Sequence, residues 1–242
     1  MFFPDRITII RTNDKVLEIG PGGTPHPRSD VLLELYYDDD EVFRQQRGNT
    51  DKLVTNKQIV YYDGNKIPFH DNEFDYVICS HVIEHVENID FFLSEMFRVA
   101  RRGYMEYPTI YYEYLYNFKH HLNFVKFTDN ELVYLKKRET SFNDFKPIHR
   151  LFLNSLEKGH NKIIKDLKEF MFEGFEWSKP FKYRSTNSIE DIVWKDFVLP
   201  NYYEKVCMCD KVKNKILISI NLLRTFFKKE TSIAFLYHLF NK

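Results

Sequence analysis

Three acidic residues, each close to the end of a short apolar run, carry the clearest chemical signal in this sequence. Glu18 stands just before a glycine-rich turn, Glu34 lies near the end of the second apolar run, and Asp63 ends the third. A carboxylate can accept hydrogen bonds from both hydroxyls of a ribose or from an exocyclic adenine amine. The backbone of Gly64 can approach a ring, because glycine has no side chain. Acids at the ends of successive strands therefore predict a nucleoside-binding site.

The turn after Glu18 has the sequence GPGG at 20–23, which can present backbone amides to a ligand. It does not fit the dinucleotide-binding fingerprint, because the third glycine of that pattern would fall on Pro25. It does not fit a P-loop either, since no Gly-Lys-Ser/Thr follows. The turn therefore disfavours both a nicotinamide enzyme and a P-loop protein.

The elements that must position these residues are short strands alternating with helices. One helix is predicted after Asn88, a suitable N-cap, because Ile89, Phe92 and Met96 recur at helical spacing. Alternation of this kind implies a mostly parallel sheet with helices on both faces. The predicted strands are KVLEIG (15–20), VLLELY (31–36), QIVYYD (58–63), FDYVICS (74–80) and GYMEYP (103–108).

Composition restricts the class of protein. The 242 residues are 43% hydrophobic, which suffices for one sizeable core. Lys plus Arg and Asp plus Glu both number 35, so no overall field favours nucleic acid as a partner. Cys79, Cys207 and Cys209 are too few for a disulfide framework, which indicates a cytoplasmic protein. The Cys207/Cys209 pair has no partner motif, and we predict no metal site.

Three blocks of the sequence resemble the class I S-adenosylmethionine-dependent methyltransferases, and within them the type 11 branch that acts on glycans and small molecules. In family order and spacing, these blocks are LEIGPGG (17–23), DGNKIPFHDNEFDYVICSHVIEHVEN (63–88) and RVARRGYMEYP (98–108). The resemblance implies a Rossmann-like α/β fold with a seven-stranded, mostly parallel sheet. It implies S-adenosylmethionine as cofactor.

The resemblance also implies roles for individual residues. Glu34 would bind the ribose, and Asp63 with Gly64 the adenine, while Asp75 would be structural. Ser80 and His81 would face the methyl donor. The residues around the methionine moiety would be Glu18, Gly20, Pro21 and Gly22.

Two departures from the family pattern lie beside the glycine turn. Thr24 replaces the usual third glycine, and Pro25 and Pro27 disfavour the long helix that normally follows. The first crossover is therefore predicted to be a short loop or a stunted helix.

We expect a single methyltransferase domain spanning 1–242. Residues 1–110 form its cofactor-binding core, and 111–170 form a helical, aromatic insertion after the fifth strand that covers the substrate. Late strands follow at 171–200, in GFEWSKPFKYRS and EDIVWKDFVL, and a helical tail at 201–242.

The predicted reaction displaces a methyl group in line from a sulfonium, so an alkyl hydroxyl acceptor must lose its proton. Histidine suits that task near neutral pH. His81 and His85 are four residues apart and share one face of a helical turn, and His121, beside His120, would approach from the insertion. These histidines are the candidate bases, and Glu106 and Tyr107 are weaker ones.

Motifs that this chain lacks restrict the chemical class of the methyl acceptor. Enzymes that methylate the exocyclic amines of bases have an Asn/Asp-Pro-Pro-aromatic turn after the fourth strand, where this chain has CSHVIEH. Enzymes that methylate the carbon of cytosine use a cysteine that follows Pro or Thr, and Cys79 follows Ile78. These absences favour the hydroxyl of a sugar, glycan or other small molecule. Two alternatives stay open: an RNA-modifying enzyme, supported by LKKR (135–138), and a non-catalytic scaffold with the same fold.

The end of the chain is apolar and flanked by lysines. From Lys211 to Lys242 the pattern predicts a helix that packs on the domain or on a second copy, or lies on a membrane surface. No apolar stretch reaches the roughly 18 residues that cross a bilayer. The N-terminus lacks the features of a signal peptide.

Overall fold

A mostly parallel sheet forms the centre of the protein in the computed structural model, which describes residues 1–36 and 55–195. Within these residues the sheet has six strands, whereas seven were expected. The strands are β1 (Val16–Ile19), β2 (Val31–Leu35), β3 (Gln58–Tyr62), β4 (Tyr76–Ser80), β5 (Gly103–Pro108) and β8 (Phe172–Trp177). Their order is β3-β2-β1-β4-β5-β8; the first five are parallel, and β8 is antiparallel to β5.

The strand order reverses beside β1, which pairs with β2 on one side and β4 on the other. All residues of β1 and β5 are buried, as expected for strands covered on both faces. At such a reversal the carboxyl ends of the strands leave a crevice in which α/β proteins bind ligands. The predicted Rossmann-like α/β fold is confirmed.

The helix predicted after the fourth strand is also confirmed. Helix α1 (Ile89–Val99) begins where the Asn88 side chain accepts a hydrogen bond from the Phe91 amide at 3.1 Å. It buries Leu93 and Met96 completely against the sheet. The capping residue and the apolar face were both visible in the sequence, so the start of the helix could be placed to within a residue.

The first crossover contains no helix: residues 20–30 form turns and loop, as predicted from Pro25 and Pro27. The ammonium of Lys57 holds this loop by donating to the carbonyl oxygens of His26, Pro27 and Ser29 at 2.8, 3.0 and 2.5 Å.

The insertion after β5 is not purely helical, contrary to expectation. Strands β6 (Asn123–Thr128) and β7 (Glu131–Lys136) form a hairpin, and β9 (Lys182–Ser185) joins it in a three-stranded sheet. Asp129 and Asn130 make its two-residue turn with φ of 51° and 59°, the left-handed values of a type I′ hairpin. The remaining helices are α2 (Ile110–Tyr116), α3 (Lys146–Glu157), α4 (Lys162–Asp166) and α5 (Lys168–Met171).

The late strands lie earlier than predicted. Both β8 and β9 fall within residues 172–185, whereas 190–195 contain no strand, and Ile189–Asp191 forms a 3₁₀ turn. The rest of the second predicted strand and the tail at 201–242 lie outside the described residues. Among the described helices, none has the length and apolar character needed to cross a membrane. Residues Met1–Trp194 form one compact unit.

Candidate active site

A cavity of about 390 Å³ opens at the carboxyl ends of β1, β2 and β4. Most residues predicted to bind the cofactor or act as a base line it, and Asp63 and Gly64 are the exceptions. The predicted residues on its wall are Glu18, Gly20, Pro21, Gly22, Glu34, Ser80, His81, His85 and His121. Tyr112, Phe118 and His120, from the aromatic stretch after β5, also line it.

The glycine turn is shaped for close approach. Gly20 and Gly22 have φ of 62° and 60°, values that favour glycine because it lacks Cβ. A Cβ on Gly20 would lie 2.5 Å from Cγ2 of Val82, and the Gly20 amide donates to the Leu33 carbonyl at 2.9 Å. The turn is therefore held between β2 and the segment after β4.

The carboxylate of Glu18 fixes the loop that replaces the first crossover helix. It accepts hydrogen bonds from the His26 amide at 2.8 Å and from Ser29 Oγ at 2.6 Å. Burial raises the pKa of Glu18 despite these donors. Glu18 thus supports the floor of the cavity as well as lining it.

The other two predicted acids have different surroundings. Glu34 is buried and lines the cavity. Asp63 is exposed, and the side chain and amide of Asn65 donate to it at 2.9 and 3.0 Å, which lowers its pKa. Tyr62, just before it, lines the cavity and was not predicted. The adenine role of Asp63 stays a prediction.

His81 lies between two buried carboxylates. Its backbone is left-handed, with φ of 57°. Nε2 lies 2.9 Å from Oε1 of Glu106, and Nδ1 lies 3.4 Å from Oε1 of Glu84. Burial opposes protonation of the ring, but these two carboxylates outweigh it and raise the pKa of His81. The arrangement favours the charged imidazolium, which cannot accept a proton, and the role of His81 as base stays a prediction.

Glu106, a weaker candidate base, is instead a structural anchor. It is completely buried and accepts hydrogen bonds from the amides of Phe2 and Phe3 at 2.7 and 3.0 Å. Burial opposes its ionisation, but its hydrogen bonds, that of His81 foremost, lower its pKa to about 2. The contact holds Met1 and Phe2 against the cavity wall, a feature that the sequence did not indicate.

Glu84, His85 and His121 form a second polar cluster on the same wall. One side-chain N or O atom from each residue lies within 4.8 Å of the others. Glu84 is 1% exposed, and within residues 1–36 and 55–195 neither of its carboxylate oxygens has a hydrogen-bond partner. Burial opposes its ionisation, but the neighbouring histidines lower its pKa to about 2.

Each histidine of this cluster is oriented through Nδ1. That atom in His85 lies 3.0 Å from the His120 carbonyl oxygen, and in His121 it lies 2.5 Å from Oε1 of Glu113. Glu113 is buried and also accepts from Nζ of Lys137 at 2.7 Å. Burial lowers the pKa of His85, which favours its neutral form.

One family model matches part of the chain. Residues 33–105 match the family model of a methyltransferase domain, a stretch that includes Glu34, Asp63 and the segment from β4 to β5. No curated protein sequence matches the chain.

Among solved structures, the chain is similar to the YcgJ protein of Bacillus subtilis, at 19% identity over 45% of this chain and 52% of that protein, with a TM-score of 0.33. It thus spans about half the length of YcgJ. A protein of Pyrococcus horikoshii is 17% identical over 61% of this chain and 76% of its own, with a TM-score of 0.36. An S-adenosylmethionine-dependent methyltransferase of Mesorhizobium loti is 12% identical over 52% and 57%, with a TM-score of 0.31.

The matched domain, the strand order with its reversal beside β1, and the left-handed glycine turn at the cavity agree with one another. Residues 33–105 thus match a methyltransferase domain and form part of a Rossmann-like α/β fold.

Proposed function

We propose that the chain transfers the methyl group of S-adenosylmethionine to a hydroxyl of a sugar, a glycan or another small molecule. The observation that carries the proposal is the cavity at the switch point of the sheet. Its lining combines a glycine turn, a buried acid and a histidine cluster.

The cofactor side of the cavity has the groups that such a ligand needs. Gly20 and Gly22 let backbone approach the methionine moiety without steric conflict, and Glu34 offers a carboxylate to the ribose hydroxyls. Ser80 is the last residue of β4 and His81 follows it, where the resemblance would place the methyl group. The Asp75 carboxylate accepts from the Lys15 amide at 2.9 Å, which supports its structural role.

The chemistry is an in-line displacement. The acceptor oxygen forms a bond to the methyl carbon, the carbon–sulfur bond breaks, and S-adenosylhomocysteine leaves. The hydroxyl proton must go to a base or to solvent, and a positioned base typically contributes about 10²–10⁴-fold. Among the three candidate bases, His81 has a carboxylate on Nε2, whereas the described contacts of His85 and His121 place none there.

The charges of the insertion support a small acceptor over RNA. The basic run at 135–138 is engaged by acidic groups: Lys137 binds Glu113, and Arg138 binds Glu87 at 2.9 Å. Basic side chains that are already paired with carboxylates are less available to bind RNA phosphates. The volume of about 390 Å³ lies in the usual range of small-molecule sites.

Cofactor binding tests the proposal first. We expect calorimetry to detect S-adenosylhomocysteine binding to the wild type. Glu34→Ala and Asp63→Ala should each weaken it about 5- to 150-fold, because each leaves ligand donors unpaired. Asp166→Ala, a half-exposed acid on α4 that lies outside the cavity lining, is the matched control and should bind like the wild type.

Turnover then distinguishes an enzyme from a scaffold. Transfer of a labelled methyl group to members of a sugar and glycan panel, but not to RNA, is the expected result. Binding of S-adenosylhomocysteine without transfer to any hydroxyl compound would favour the scaffold. Transfer to RNA would show that the acceptor is RNA and not a small-molecule hydroxyl. Absence of S-adenosylhomocysteine binding would refute the cofactor assignment for this chain.

A further inference from the structure

We propose that Glu84, His85 and His121 bind one divalent first-row transition-metal ion. The sequence predicted no metal site, because the three residues come from two segments more than thirty positions apart. The 3₁₀ turn Ile83–His85 supplies two of them, and the loop between α2 and β6 supplies the third.

The first argument is the state of the Glu84 carboxylate. A carboxylate that is 1% exposed normally has hydrogen-bond donors on both oxygens, since an unpaired buried charge is costly. Within the described residues Glu84 has none, and its nearest charged neighbour is Nδ1 of His81 at 3.4 Å. A cation between Glu84 and the two histidines would complete its surroundings.

The second argument is the tautomer of His85. A carbonyl oxygen only accepts hydrogen bonds, so Nδ1 of His85 must carry a proton to bind the His120 carbonyl at 3.0 Å. A neutral imidazole with a proton on Nδ1 has its lone pair on Nε2. His85 is thereby held as a ligand through Nε2.

The third argument is that His121, like His85, is oriented through Nδ1, in this case by a carboxylate. Nδ1 of His121 donates to Glu113, which is itself held by Lys137 at 2.7 Å. A carboxylate behind a ligating histidine fixes the ring and makes its other nitrogen a better ligand, and this arrangement recurs in metal sites. Lys137 also gives Glu113 a positive partner of its own, whereas Glu84 shares the His81 ring with Glu106.

The donor set indicates the kind of ion. Two imidazoles and one carboxylate with open positions are the ligands of catalytic zinc and of non-haem iron, whereas Mg²⁺ and Ca²⁺ prefer oxygen alone. The two rings are perpendicular, at 88°, with centroids 4.7 Å apart. Because metal–ligand distances are about 2.0–2.2 Å, the ligand atoms must close from within 4.8 Å of one another to about 3 Å. Binding of an ion would therefore require a small movement of these side chains.

The ion would lie on the cavity wall, where an acceptor oxygen can take one of its open positions. This step rests on the proposed function. A metal-bound hydroxyl loses its proton to solvent more readily, and the resulting oxygen attacks the methyl carbon. His85 and His121 would then be ligands of the ion and not general bases.

Metal titration without cofactor tests the site directly. We expect calorimetry to show one equivalent of Zn²⁺ bound to a full-length chain carrying Cys207→Ser and Cys209→Ser, which removes thiols as competing ligands. In that background Glu84→Gln and His121→Ala should each weaken Zn²⁺ binding at least 100-fold. His120→Ala removes the adjacent imidazole but keeps the carbonyl that orients His85, so it should bind Zn²⁺ like its parent.

Co²⁺ supplies a second readout, because its visible absorption reports ligation by these side chains. Two results would overturn the proposal: no stoichiometric binding of Zn²⁺ or Co²⁺ by the parent, or unchanged binding in a variant with native circular dichroism. If one variant fails to fold, the other decides. S-Adenosylhomocysteine affinity is measured in parallel, so failure of the metal site with intact cofactor binding leaves the proposed function standing.

Discussion

Replacing Glu106 by Gln should destabilise the protein strongly although the two side chains have the same shape. The carboxylate is completely buried at the end of β5, where a glutamine would place an NH₂ group against donors. The groups facing it are the Phe2 and Phe3 amides, Tyr104 OH, Ser80 Oγ, His81 Nε2 and, at 4.0 Å, the Met1 amino group.

The magnitude follows from the pKa and from the hydrogen bonds. A carboxyl pKa lowered from 4.5 to about 2 corresponds to about 3 kcal/mol of preference for the charged form. Loss of two charge-assisted hydrogen bonds, at about 1.5–3 kcal/mol each, gives a similar figure. We therefore expect Glu106→Gln to lower the free energy of unfolding by about 3 kcal/mol at pH 7.

Urea denaturation of both proteins between pH 7 and pH 3 is the assay. Because folding lowers the pKa of Glu106, its stabilisation is complete above about pH 4.5 and is lost as the pH falls towards 2. The difference between wild type and variant should therefore shrink below pH 4.5. Glu157→Gln, an exposed acid on α3, is the control and should change little. A difference below about 1 kcal/mol at pH 7, or one that is constant with pH, would refute this reasoning.

Two further predictions concern local structure. Gly20→Ala should lower both stability and S-adenosylhomocysteine affinity, because the new Cβ would lie 2.5 Å from a Val82 methyl group. Gly159→Ala, also left-handed but with nothing within 4 Å of its Cβ, should cost only the roughly 1–2 kcal/mol of backbone strain in urea denaturation; equal costs would contradict the steric argument. Asn88→Ala should destabilise by about 1 kcal/mol through loss of the N-cap on α1, and unchanged thermal unfolding would exclude that contribution.

The central sheet could be predicted because each strand carries its own signal. Strand β5 has the predicted bounds, 103–108, and α1 begins at its predicted cap. The hairpin at 123–136 was missed, since its aromatic and charged residues resembled the helices around it. Its signal was the pair Asp129-Asn130 between two alternating runs, the composition of a type I′ turn.

The site could be predicted only where its residues follow strands. Glu18 and Glu34 share the cavity because the carboxyl ends of parallel strands meet at one edge of the sheet. The contact between Glu106 and Phe2 joins residues 104 positions apart, and no local pattern records it. The Glu84 cluster was missed for the same reason, although Glu84-His85 and His120-His121 each stood out as polar pairs in the sequence.

The loop that replaces the first crossover helix has a consequence for the cost of binding. Lys57 holds its carbonyl oxygens from one side, and Glu18 holds the His26 amide and the Ser29 hydroxyl from the other. Loops without regular structure usually lose conformational entropy when a ligand orders them. This one is pre-organised, so a ligand in the cavity would meet the glycine turn as a rigid surface, and less of its binding free energy would be lost in ordering the loop.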